Sequence, residues 1–217
     1  MFTLNGDIFM VGIVGVATSR VLDEEILSGM IDESKSYWTE SEVKAFTMKI
    51  RGKVSLYAFL ITPKGRSIFD FYVDESGNKA VLVYGYIYDE TGTCRENIAK
   101  CLSGLNEREL LDLLKKMSGS FAILIVDYDQ IYLVTDRFGT RPIHYTIVKE
   151  GDRQTLLFSS NLRPILKYLK LTGNSIKLNY EAIVSYIWFG ARLGILGDDT
   201  LIEGVYLIPQ LLFLSLI

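Results

Sequence analysis

The sequence predicts an α+β fold, a four-layer αββα sandwich of two mostly antiparallel sheets between helix layers. Three observations point there. Several strand-like runs are apolar at nearly every position, as in strands buried on both faces. The helical segments between them each carry one apolar face. Neighbouring strand-like runs are separated by short polar turns, which suits antiparallel hairpins. Stacking such sheets between such helices covers every apolar surface, although periodicity alone leaves other α+β arrangements open.

The elements follow in order. Residues 9–17 form a small-residue apolar run. Asp23 is placed to cap a helix with Ile26, Leu27, Met30 and Ile31 on one face. Residues 44–50 and 54–61 flank a turn, Arg51-Gly52-Lys53. Residues 80–88 and 121–127 are continuous apolar runs, and 131–135 follows a four-residue polar turn, so it should pair back onto 121–127. Asn106 and Glu109 have capping-box spacing. Behind them Leu110, Leu113, Leu114 and Met117 recur at helical intervals. Residues 143–148 and 155–159 read as a hairpin, and Asn179 as the cap of a helix with Ala182, Ile183, Tyr186 and Ile187 on one side.

Composition narrows the function. The chain has 217 residues, 49% hydrophobic and 23% charged, with a formal charge of -3. Disorder needs low hydrophobicity and high net charge, and nucleic-acid binding by bulk charge needs a basic chain; neither holds. No apolar run approaches the roughly 20 residues of a membrane span, and the first residues lack the pattern of a signal peptide. The expectation is a cytoplasmic protein that binds neither nucleic acid nor membrane. Cys94 and Cys101 read as unpaired structural thiols. The single histidine, His144, reads as a half-buried structural residue, and no metal site is expected.

Five segments carry a family resemblance. Val134-Thr135-Asp136-Arg137-Phe138-Gly139-Thr140-Arg141-Pro142-Ile143-His144-Tyr145 resembles the D-R-x-G-x-K-P-L-Y-Y segment of glutamine-dependent asparagine synthetases. In the same order as in that family, Met10-Val11-Gly12-Ile13-Val14-Gly15 resembles M-C-G-I-x-G, and Met117-Ser118-Gly119-Ser120-Phe121-Ala122 resembles L-x-G-M-F-A-F. Leu157-Phe158-Ser159-Ser160-Asn161-Leu162-Arg163-Pro164-Ile165-Leu166 resembles F-A-S-E-x-K-A-L-L. Asp199-Thr200-Leu201-Ile202-Glu203-Gly204-Val205-Tyr206-Leu207-Ile208-Pro209 resembles D-T-x-F-x-G-I-x-x-L-P-P. The resemblance covers the family's N-terminal half, a class II glutamine amidotransferase domain with the N-terminal-nucleophile hydrolase fold, itself αββα. It divides the chain into an extension, 1–9, and an amidotransferase-like domain, 10–217, without the family's synthetase (ATP-pyrophosphatase) domain.

The resemblance implies glutamine hydrolysis by an N-terminal cysteine whose α-amine is the base. The matching position is Val11, which has no nucleophilic atom. The family's oxyanion hole, an Asn side chain and a Gly backbone N–H in N-G-E-I-Y-N, falls on Tyr84 and Gly85, so the amide donor is gone. The Arg of H-R-R-L-x-I has no counterpart in 54–59, and the Asp of S-D-T-E has none between Asp89 and Met117. Asp136 and Arg137 are expected to pair and fix the turn containing Gly139 and Pro142.

The reading is therefore a glutaminase-inactive, asparagine-synthetase-related domain acting as structural or regulatory partner of an ATP-dependent amide-forming synthetase. It has no cofactor, and homo-oligomerisation is open. One alternative is a working amidotransferase subunit supplying ammonia for asparagine synthesis. Another is a small-molecule sensor reusing the vestigial pocket, lined by Val11, Tyr57, Tyr84 and Tyr86.

Overall fold

A computed structural model describes residues 12–35, 41–50, 53–64, 69–88, 97–193, 197–209 and 213–216. Two antiparallel sheets form the body. In the first, β1 (Gly12–Thr18) lies between β3 (Val54–Pro63) and β9 (Arg153–Ser159). The sheet continues outward through β2 (Ser41–Ile50) on one side, and through β8 (His144–Glu150) and β10 (Tyr206–Leu207) on the other. In the second, the order is β11 (Phe213–Leu216), β7 (Gln130–Thr135), β6 (Ser118–Asp127), β5 (Lys79–Tyr88) and β4 (Phe69–Val73).

The run of strands apolar on both faces explains the layering. Along β5, Ala80, Leu82 and Tyr84 join the core between the sheets, while Val81 and Val83 join a second core on the opposite face. β6 divides in the same way: Ala122, Leu124 and Val126 point inward, and Phe121, Ile123 and Ile125 outward. The outer core is closed by α2 (Ile98–Ser103) and α3 (Glu107–Leu114), through Ala99, Leu102, Leu110, Leu113 and Leu114. On the other side α1 (Glu24–Lys35) and α4 (Leu162–Leu171) pack on each other and on the first sheet, contributing Met30, Ile165, Tyr168 and Leu169. The layers are thus helix, sheet, sheet, helix, as the patterning predicts. Each fully buried Leu, Ile or Phe contributes about 1.5–3 kcal/mol.

Several local signals hold. The hairpins β2–β3, β6–β7 and β8–β9 form as expected. The Asn106 side chain accepts from the Glu109 N–H, and Glu109 accepts from the Asn106 N–H. Residues 9–11 of the first expected strand, and Cys94, lie outside the described residues.

Two expectations are corrected. The last helix, α5 (Tyr180–Leu193), leaves most of its large apolar residues uncovered: Ala182 is buried, but Tyr186, Ile187 and Phe189, which lie on different sides of the helix, are exposed. Helical periodicity shows that a face is apolar, not that this chain covers it. Cys101 is also not a free thiol; it is disulfide-bonded. No helix among the described residues is long and apolar enough to cross a membrane.

Candidate functional site

The site expected from the resemblance lies where β1 begins. Val11 is outside the described residues, so the first defined position is Gly12. Its neighbour Ile13 is tied to the segment after β9: the Ile13 N–H donates to Ser160 Oγ at 3.1 Å, and the Ser160 N–H donates to the Ile13 carbonyl at 2.8 Å. A Cβ at Gly12 would lie 2.2 Å from Ser160 Oγ and 3.6 Å from Tyr84 Cε1. The start of β1 is therefore walled by Ser160 on one side and the Tyr84 ring on the other.

Tyr84 is fully buried in the core between the sheets. Arg141 Nη1 donates to its hydroxyl at 2.8 Å, and the guanidinium carbon lies 4.8 Å from the ring centroid. Burial pushes the Tyr84 hydroxyl above its usual pKa, with the Arg141 charge acting the other way. Arg141 Nε donates to Ser120 Oγ at 3.1 Å, and Ser120 Oγ lies 2.8 Å from Thr140 Oγ1. A tyrosine and an arginine 57 positions apart are thereby joined to one polar chain, with no local sequence signal linking them.

That chain ends on Asp136, which is buried. Its carboxylate accepts from the backbone N–H groups of Phe121 (3.2 Å), Phe138 (2.9 Å), Thr140 (3.2 Å) and Arg141 (3.3 Å), and from Thr140 Oγ1 (2.6 Å). Burial works to raise its pKa, but these donors outweigh it and hold the carboxyl below the usual value. Asp136 fixes the turn, as expected, but not by pairing with Arg137. Arg137 Nη2 instead donates to the Lys115 carbonyl at 2.8 Å. An acidic side chain followed by backbone donors two to five residues on is an Asx-type turn.

Gly85 has a conformational reason to be glycine. Its φ is +112°, and a Cβ there would lie 2.1 Å from the Ser120 carbonyl oxygen. Across the strand pair Gly119 has φ +149° and stands as close to the Tyr86 carbonyl. These two glycines let β5 and β6 approach where any side chain would collide.

The remaining candidates do not gather at this place. Tyr86 is 51% exposed. Tyr57 is half-buried and pairs with Val16, four positions along β3 from Ile61, the partner of Gly12. That separation is about 13 Å at strand rise. Thr18 ends β1 in a buried contact with Thr155, hydroxyl to hydroxyl at 2.9 Å. His144, on β8, has its pKa lowered by burial, opposed by a hydrogen bond with the Ser159 backbone. There are two open clefts, of about 260 and 280 Å³, the second bordering the 136–142 turn. One is lined by Ser19, Ile147 and Arg153, the other by Phe138, Pro142 and Asp198. Among the described residues no cluster of His, Cys, Asp and Glu could hold a metal.

Comparison with known proteins adds the following. Residues 91–167 match a family described as a glutamine amidotransferase domain. The chain is 24% identical over 196 residues to asparagine synthetase [glutamine-hydrolyzing] 2 of Bacillus subtilis, an alignment covering 84% of this chain and 25% of that protein. It therefore spans about a quarter of the length of that relative. Among solved structures it is similar to the glutamine phosphoribosylpyrophosphate amidotransferase of B. subtilis, with a TM-score of 0.48 and 12% identity over 76% of this chain and 44% of that one. A second, described as the allosteric regulatory enzyme of purine biosynthesis, gives 0.45 and 12% over 72% and 43%. By sequence, residues 91–167 are thus similar to a glutamine amidotransferase domain, and most of the chain is similar at low identity to part of an asparagine synthetase.

Proposed function

We propose that this is a glutaminase-inactive amidotransferase-like domain, serving as structural or regulatory partner of an ATP-dependent amide-forming synthetase. The observation that carries this reading is Tyr84. At the position where the resemblance places an amide donor, a buried tyrosine ring packs against the start of β1 and is tied to Arg141. Val11, at the nucleophile position, offers no atom that could form a thioester. Gly85 is accounted for by backbone geometry alone, so its retention does not argue for catalysis. A synthetase partner is the natural complement, because the B. subtilis relative extends well beyond the matched quarter and is named for glutamine-hydrolysing asparagine synthesis.

The test is ammonia release from glutamine by two proteins, the full chain and a chain starting at residue 11 with Val11→Cys. The full chain should show none above buffer. The variant should stay within trace levels, because loss of one oxyanion donor costs about 10²–10³ in rate. Sustained turnover by the full chain would overturn the reading. Substantial turnover by the variant alone would show that Val11 is the sole defect.

A further inference from the structure

We propose that α5 is a self-association surface that pairs antiparallel with α5 of a second copy of this chain. Tyr180, Val184, Ile187 and Trp188 are 73%, 52%, 73% and 80% exposed. They lie on the side of the helix away from buried Ala182. Positions 180, 184, 187 and 191 follow the alternating four- and three-residue spacing of a helix-pairing seam, with β-branched Val184 and Ile187 at its centre.

Area and charge favour a second copy as the occupant. An aromatic side chain presents about 150–250 Å², so this stripe exposes on the order of 500 Å². Two such faces bury about 1,000 Å² together, where specific interfaces begin. The helix sequence holds only two charges, Glu181 near its start and Arg192 near its end. Antiparallel pairing sets Val184 against Ile187 of the second copy and keeps the two Glu181 side chains at opposite ends of the seam. It also opposes the two helix dipoles. Parallel pairing would place like charges together. The inference does not depend on the proposed loss of glutaminase activity.

Sedimentation equilibrium of the full chain from about 1 to 100 μM tests it. A dimer is expected, and Ile187→Glu should weaken it at least 100-fold while leaving the circular dichroism and the urea midpoint unchanged. Since Ile187 is exposed in the monomer, this variant should fold. The double variant Val184→Cys/Ile187→Cys should cross-link between copies on oxidation, whereas Ile187→Cys alone should not. A wild-type chain that stays monomeric at 100 μM would refute the proposal. So would a dimer indifferent to Ile187→Glu, or a monomer that binds only a different protein or a lipid vesicle through α5.

Discussion

The turn at residues 136–142 and the start of β1 are linked through Tyr84 and are held in place by different means. In the turn, Asp136 gathers four backbone N–H groups and a hydroxyl. Beside the start of β1, Tyr84 is fully buried between the sheets and packs near Gly12. Arg141 belongs to both, reaching from the turn to the Tyr84 hydroxyl. The difference is one of means: the turn is held by hydrogen bonds to a single carboxylate, the start of β1 by packing and one hydrogen-bonded ring.

The sharpest way to break the comparison is Tyr84→Ala. Truncating a large buried ring costs about 3–5 kcal/mol, measurable by urea unfolding. A loss under about 1 kcal/mol would mean that the ring sits in a yielding pocket rather than in the core. Next comes Asp136→Asn, which sets an amide against groups that all donate. A loss of about 3 kcal/mol is expected at neutral pH, from unmet buried donors. The native pKa of Asp136 is depressed, so its contribution is present above the unfolded value of about 3.9 and fades as pH falls through the folded one. The gap between wild type and Asp136→Asn should therefore hold at pH 5–7 and close only in stronger acid. The smallest effect belongs to Tyr84→Phe, which keeps the ring and deletes one hydrogen bond from the Arg141 guanidinium, for about 1.5–3 kcal/mol. If it matches Tyr84→Ala, the hydroxyl and not the ring holds the two regions together.

What could be read from the sequence divides along the same line. Core strands were legible because burial on both faces leaves unbroken apolar runs, as in β5 and β6, and the capping box at Asn106 is a local signal. β4 and α2, five and six residues long, carry too little periodicity to stand out. The Asp136 turn was legible as a turn, but adjacency of opposite charges suggested an Asp136–Arg137 pair where backbone capping occurs. The Tyr84–Arg141 contact was invisible, because it exists only once the fold brings β5 and the 136–142 turn together. The exposure of α5 was not legible, because amphipathicity does not say which molecule supplies the cover.

The seating of β1 in the first sheet has a kinetic consequence. The second sheet from β4 to β7 is built of strands consecutive in the chain. β1 instead needs β9, and Ile13 meets Ser160 across 147 positions. Closing so long a loop must precede any reward from the contacts it brings, and chains dominated by such pairings fold in milliseconds to seconds. The β4–β7 meander should therefore order first and the centre of the first sheet late. The start of β1, where the amidotransferase resemblance places its chemistry, is then among the last parts of the molecule to acquire its shape.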